Sequence, residues 1–169
     1  MKQFKTLLFA AIVFIGATSF TMAQSKIAHI NTGELIEAMP QMKTAKTELE
    51  KLSKTYEAQI KEMATEYQNK IKQYQAEVET KTEEENAKRQ EEVMTIEQSI
   101  RQYQATAQED LQKKEAELMK PVFEKAKAAI QKVAKAQGFQ YVLDSTQGGG
   151  VLLADGKDLL VDVKKELGF

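Results

Sequence analysis

The chain has 169 residues, of which 29% are charged, and its 24 basic and 25 acidic side chains give a net charge of −1. This balance excludes the strong positive field of nucleic-acid-binding proteins, and residues 77–92 are acidic, with seven Glu against three basic side chains. The chain has no cysteine, which excludes disulfides and thiolate chemistry. We therefore expect no nucleic-acid partner and a fold stabilised by packing.

The first 23 residues have the pattern of a signal peptide. Lys2 and Lys5 precede an apolar run over residues 7–20, and Thr21 and Ala23 place small residues where a signal peptidase reads. We expect cleavage after Ala23 and export of the chain. A membrane-anchoring helix is the alternative, but the run is short for spanning a bilayer. Without the two lysines, 22 basic residues face 25 acidic ones, a net charge of −3.

A small body begins after the cleavage site, over residues 24–40. Residues 26–31 have the composition of a β-strand. Residues 32–38 predict a short helix, with Thr32 as its cap and an end before Pro40.

The next segment, residues 41–120, contains no Gly or Pro and has apolar residues at helical spacing. The apolar residues of the first half pair with those of the returning half, which continues to Ala129. The residue numbers of each pair add to 170 or 171, as they would in a chain that folds back at one point. The pairs are Met42–Ala129, Ala45–Ala126, Leu49–Val122, Leu52–Leu118, Ile60–Leu111, Met63–Ala107, Tyr67–Tyr103, Ile71–Ile100, Tyr74–Ile96 and Val78–Val93; Tyr56 meets Lys114 or Glu115. The pattern predicts an antiparallel helical hairpin with its tip near Glu85 and Asn86.

The predicted hairpin is an arm. From Tyr56 to Val78 the apolar residues repeat every eleven positions, which favours straight helix packing over a heptad coil. Each leg of about 43 residues would extend roughly 65 Å. An isolated hairpin of this length has neither a compact core nor an enzyme pocket.

The second part of the body is residues 121–169. Pro121 must kink the return leg or begin a new helix, so we place the arm's junction near it. Gly138 closes the long helix, residues 140–144 and 151–154 read as strands around a Gly148–Gly150 loop, and Leu159, Leu160, Val163 and Leu167 predict a last helix. The strands are continuous apolar runs, which indicates burial on both faces. A small body of this kind favours oligomerisation, through Ile27, Ile30, Val142, Leu143, Val151, Leu152 and Leu153.

The candidates for chemistry have simpler explanations. Gly148–Gly150 lacks the Lys and the following helix of a phosphate loop, which favours a hairpin loop. His29 is the only histidine, so a core or rim position is favoured over a metal site. Asp144, Asp155 and Asp158 do not have the spacing of a calcium loop, so turn and cap roles are favoured. We expect no catalytic residue, cofactor or metal, and hence no enzyme.

The whole chain after the signal peptide resembles the Skp/OmpH-like periplasmic chaperones. The resemblance rests on Ile27–Asn31, Glu34-Leu35, Met39-Pro40, Lys46 and Leu49 at the start, and on Pro121, Gly138, Val142–Asp144 and Ala154–Leu159 at the end. It implies a mostly helical α+β fold, with a long hairpin projecting from a small β-containing body, and a homotrimer with a barrel-like core. It also implies a periplasmic location and a cavity between the arms that holds unfolded outer-membrane β-barrel proteins.

The resemblance implies an ATP-independent holdase, which requires many weak contacts with its clients. The candidates are the apolar residues outside the packing stripe: Ala58, Ala64, Ala76, Ala87, Met94, Ala105, Ala116 and Met119. The best-known relatives have basic arms, whereas this chain is acidic, so contact with lipopolysaccharide or an anionic membrane is not carried over. The alternative function is a structural coiled-coil spacer of the cell envelope with no client.

Overall fold

A computed structural model describes residues 26–169, and the predicted signal peptide lies outside this range. The elements in chain order are β1 Ile27–Ile30, α1 Thr32–Ala38, α2 Pro40–Glu77, a 3₁₀ turn Val78–Thr80, α3 Glu83–Ala136, β2 Tyr141–Asp144, β3 Lys157–Asp158 and α4 Leu160–Leu167. The fold is α+β and mostly helical, as predicted. A long hairpin of α2 and α3 extends from a small body that holds the three strands and both short helices.

The body contains a parallel sheet in the order β2-β1-β3. Ile27 pairs with Tyr141 and Ile30 with Asp144, while His29 pairs with Asp158 on the other side of β1. The strand predicted over residues 151–154 is wrong: this segment is irregular, and β3 follows it. The chain has to pass from one side of β1 to the other to form a parallel β3, and residues 145–156 are used for that crossing.

Only one face of the sheet is buried. Ala28 and Ile30 are 1% exposed and point toward the helices, whereas Ile27, Tyr141 and Leu143 point away and are largely exposed. The prediction of strands buried on both faces is therefore wrong for the single chain. The reason is that the body supplies helices on one side of the sheet only.

The core lies between the inner face of the sheet and the body-proximal part of α3. Four side chains are fully buried there: Leu35 of α1, Met39 directly after α1, Leu159 directly before α4 and Val163 of α4. The α3 residues of this core are Val122, Ala126, Ala129, Val133 and Ala134. Since the core begins at Val122, the junction of arm and body lies near Pro121. The helix itself continues through Pro121 without a break, so no new helix begins there.

Hydrogen bonds at the start of α1 and at the end of α3 set where β1 ends and where β2 begins. Asn31, not the predicted Thr32, caps α1, because its Oδ1 accepts from the Glu34 N–H at 2.9 Å while the Thr32 hydroxyl donates to Asp144. Gly138 follows the end of α3 with φ 75°, as a C-terminal glycine does. The Phe139 N–H donates to the Ala134 carbonyl, which completes the Schellman arrangement and directs the chain into β2.

The arm reverses earlier than predicted. Helix α2 ends at Glu77, and Thr82 caps α3 in a capping box: Glu85 N–H donates to Thr82 Oγ1, and Thr82 N–H donates to the Glu85 carboxylate. The predicted tip, Glu85 and Asn86, therefore lies in the first turn of α3. The true tip is centred on Lys81 and Thr82, about one helical turn earlier.

Because the tip lies earlier, each residue of α2 also meets a different residue of α3 from the one predicted. Tyr56 contacts Tyr103, with ring centroids 5.9 Å apart, rather than Lys114. Ile71 and Val93 line one groove, and Ala45 and Leu118 line another, so the predicted pairs Ile71–Ile100 and Ala45–Ala126 are wrong. Because apolar residues recur every three or four positions on both legs, a shift of one turn at the tip again places apolar opposite apolar. The numbers of Ile71 and Val93 add to 164, and those of Ala45 and Leu118 add to 163.

Candidate functional site

The arm exposes its surface along its whole length. Helix α2 has 38 residues, so the arm extends about 57 Å from the body. Along the arm only Ala45 and Ala107 are buried. The other stripe residues are half-buried, apart from the exposed Val78 near the tip, because each helix has a single partner. The arm thus presents a large lateral surface that its own fold does not cover.

The predicted client contacts are spread over this surface. Met94 is 58% exposed and is the largest of them. The alanines Ala58, Ala76, Ala87, Ala105 and Ala116 are also exposed, whereas Ala64 and Met119 are half-buried. The set forms no pocket, so each residue offers a small and separate apolar contact.

A polar cluster joins the two helices in the outer third of the arm. Glu92 accepts from Lys70 and from the Tyr74 hydroxyl, the latter at 2.5 Å. Arg89 lies over the Tyr74 ring, 4.6 Å from its centroid, and donates to Glu77 at 2.5 Å. Hydrogen bonds from Lys70 and Tyr74 hold the pKa of Glu92 below its usual value. The contacts cross from helix to helix and therefore fix their register.

The tyrosines of the arm belong to this helix packing. Tyr56 and Tyr103 meet edge to face at 64°. The Tyr56 hydroxyl donates to Asp110 and the Tyr103 hydroxyl to Gln59, so both rings bridge the helices. Their rings are therefore not free to stack on a ligand.

The outer face of the sheet is the main apolar surface of the body. Ile27 is 48% exposed, Tyr141 60% and Leu143 42%. His29 lies among them at the sheet rim, with Nδ1 3.3 Å from the Ser145 hydroxyl and Nε2 3.2 Å from the Gly156 carbonyl. No other part of residues 26–169 of the same chain packs against this face.

The other residues predicted for oligomerisation lie in three different places. Ile30 belongs to the chain's own core and Val142 is half-buried at its edge. Val151 is half-buried, while Leu152 and Leu153 are 101% and 75% exposed on the loop before β3. Sequence reasoning missed Tyr141, although the alternation of side chains along a strand places it on the same face as Leu143.

An apolar groove of about 660 Å³ lies between α1, α3 and β2. Its floor consists of Ile36, Phe123, Ile130, Phe139 and Val142, and Phe123 is 50% exposed. Sequence reasoning missed Phe123 because it lies one position beyond the buried Val122 and outside the regular stripe.

A polar junction holds the end of β2 to the start of α1. Asp144 accepts from the hydroxyls of Thr32 and Thr146, both at 2.6 Å, and from both backbone N–H groups. Partial burial acts to raise the pKa of Asp144, but these hydrogen bonds outweigh it and lower the pKa to about 2. Asp158 accepts from the Leu160 N–H at 2.9 Å. Asp144 and Asp158 thus fill turn and cap roles.

Among residues 26–169, no helix is both long and apolar enough to cross a membrane. Within the same range, His, Cys, Asp and Glu side chains form no group of three that could hold a metal ion.

The fold and its exposed surfaces define a class: an α+β protein with a small body and a long two-helix arm. The family model described as outer membrane protein (OmpH-like) matches residues 26–167. The chain belongs to this OmpH-like family.

A solved structure has the same architecture. It is a Caulobacter crescentus CB15 protein provisionally assigned as an outer membrane chaperone (OmpH-like), with a TM-score of 0.75 and 17% identity over 85% of this chain and 83% of that one. No curated protein matches the chain significantly. At this identity the likeness shows that the two chains share a fold.

Proposed function

We propose that the protein is an ATP-independent periplasmic holdase that keeps unfolded outer-membrane β-barrel proteins soluble. The observation that carries the proposal is the arm: two helices extend about 57 Å from the body with only each other to pack against. Unfolded β-barrel chains expose strand edges that pair and aggregate. A surface of separated small apolar groups shields such segments without fixing one client geometry.

The proposed assembly is a homotrimer joined through the bodies. The outer sheet face, with Ile27, Tyr141 and Leu143, is the apolar surface that a partner copy would cover. Three arms attached to joined bodies would enclose a cavity whose walls are the arm surfaces. Mass measurement by light scattering at micromolar concentration should give three times the chain mass. A monomer with native helicity would contradict both the trimer and the cavity.

The direct test of activity uses a client unfolded in urea. The purified protein, without nucleotide, should keep a diluted β-barrel protein from scattering light at equimolar trimer. If the protein were instead a spacer of the cell envelope, it would leave aggregation unchanged. Residues 24–169 are used, so that the signal peptide does not contribute apolar surface.

Client contact should be distributed. Met94→Ala removes the largest exposed apolar contact of the arm and should change the protection only slightly, because the other contacts remain. The half-protective concentration of Met94→Ala compared with that of the unmodified protein measures this. A large loss from this one substitution would indicate a localised binding site.

A further inference from the structure

The only histidine of the chain lies on the outer face of the sheet, and the proposed function leaves it without a role. His29 belongs to β1, and its half-buried ring points to the same side of the sheet as Ile27. Ala28 and Ile30, which alternate with it, are buried in the core. Leu143 of β2 lies in register with His29 and is 42% exposed. A titratable ring thus lies within a largely apolar surface.

Two hydrogen bonds hold the ring and identify the nitrogen that takes up a proton. Nε2 lies 3.2 Å from the Gly156 carbonyl oxygen, which can only accept, so the neutral ring carries its hydrogen on Nε2. Nδ1 lies 3.3 Å from the Ser145 hydroxyl, which then donates to it. Acidification therefore places the second proton on Nδ1, and the Ser145 hydroxyl turns to accept from it. The ring keeps both partners while it gains a positive charge.

The charged side chains around His29 are engaged elsewhere or exposed. Asp158 lies beside His29 on β3, and its carboxylate accepts from the Leu160 N–H at 2.9 Å. Lys157 of the same strand lies on the helix side, where it pairs with Asp162 at 3.1 Å. The other charged groups around the paired strands are the exposed Lys26, Asp144 and Asp155. Both hydrogen-bond partners of the ring are uncharged, so within residues 26–169 no ion pair offsets a charge on it.

We infer that protonation of His29 at Nδ1 opposes assembly, so that the protein is oligomeric at neutral pH and dissociates in acid. The inference rests on the proposed trimer, in which partner copies cover the outer sheet face. An imidazole ordinarily titrates between pH 5 and 8, and covering a charged ring with apolar surface is unfavourable unless a counter-charge pairs with it.

The sign of the effect follows from this cost. Covering the face favours the neutral ring, so a protonated chain has to release one proton when it assembles. Assembly is therefore strongest above the titration range of the ring and weakens as the pH falls through that range.

Light scattering of residues 24–169 between pH 8 and pH 5 tests the inference, with helicity measured on the same samples. The constant for joining three chains should fall roughly a thousandfold for each pH unit below the titration midpoint, which is tenfold per copy. His29→Gln is the matched control, because its amide can donate to the Gly156 carbonyl but takes up no proton, and it should assemble equally across the range. His29→Lys carries the charge throughout and should assemble weakly even at pH 8.

The titration of the ring is a second and independent measurement. Because the chain has one histidine, the NMR signal of the imidazole C–H protons needs no assignment. Its midpoint in the assembled protein should lie about one pH unit or more below that of the same chain unfolded in urea.

The outcomes separate this inference from the proposed function. An oligomer that keeps its mass at pH 5, or that dissociates in acid equally with His29→Gln, would overturn the role of His29 and leave the holdase proposal standing. An unshifted NMR midpoint in the oligomer would overturn it as well. A chain that is monomeric at pH 8 would overturn the proposed trimer and this inference with it.

Discussion

At the scale of single residues, polar side chains decide where elements begin and meet. Asn31 and Thr82 cap helices, and Asp144 joins β2 to α1 through two hydrogen bonds from Thr32. The sequence pattern predicted a strand at Asp144 and a helix after Thr32, but not the bond between them. That bond depends on a parallel register that brings residues 112 positions apart together, and local pattern does not encode it.

Asp144→Ala should lower the free energy of unfolding by about 1 kcal/mol at pH 7, after allowance for the solvent exposure of the carboxylate. Because folding lowers its pKa from 3.8 to about 2, the contribution is complete above pH 4 and is lost as the pH falls toward 2. Urea unfolding at pH 7 and pH 2.5 measures it. Asp155→Ala, on the adjacent loop, is the control and should have little effect at either pH.

At the scale of elements, the capping box of Thr82 sets the arm's tip. Thr82→Ala should cost about 1 kcal/mol locally, so amides in the first turn of α3 should exchange roughly fivefold faster. Thr95→Ala, within α3, is the control, since its hydroxyl only donates to the carbonyl of Glu91. Unchanged exchange at residues 83–86 would show that the cap does not fix the tip.

The arm's register is the second prediction at this scale. Ile71→Cys with Val93→Cys should form a disulfide within one chain, and Ile71→Cys with Ile100→Cys should not. The reason is that Ile71 and Val93 line one groove, while Ile100 lies about two turns further along α3. Non-reducing gels after dilution to nanomolar concentration distinguish links within a chain from links between chains. The reverse preference would restore the tip at Glu85 and Asn86.

In the arm, the sequence predicted the two helices but not how they align. Apolar spacing predicted the hairpin and its helical character, because two packed helices require an apolar stripe on each. The spacing could not determine the register of α2 against α3. Apolar residues that recur every three or four positions meet apolar residues again after a shift of one turn. The residues that break this degeneracy are polar. Thr82-x-x-Glu85 is a capping box readable in the sequence, and Arg89 opposite Tyr74 and Glu77 agrees with it.

In the body, the sequence predicted the elements better than their arrangement. The apolar runs of β1 and β2 were strands, but the run over residues 151–154 is unpaired in the single chain. Its composition indicates a strand, and the protomer has no place for it.

At the scale of the whole molecule, function depends on the arm as a surface held by the body. A deletion that tests this has to respect the corrected register. Tyr67 and Ile96 lie at the same level, so removal of residues 68–95 and closure by a short turn leaves two legs of equal length. A cut at Tyr67 and Tyr103 would leave the legs unequal by about seven residues, or roughly 10 Å.

The most direct measurement is light scattering from a large urea-unfolded β-barrel protein diluted into the intact protein or into the variant lacking residues 68–95. Both should form an oligomer with the same number of copies, because the body is unchanged. The intact protein should suppress aggregation, and the truncated one should lose most of this protection. Full protection by a truncated protein that remains assembled would contradict the account, since it would show that the arms are not the surface that holds the client.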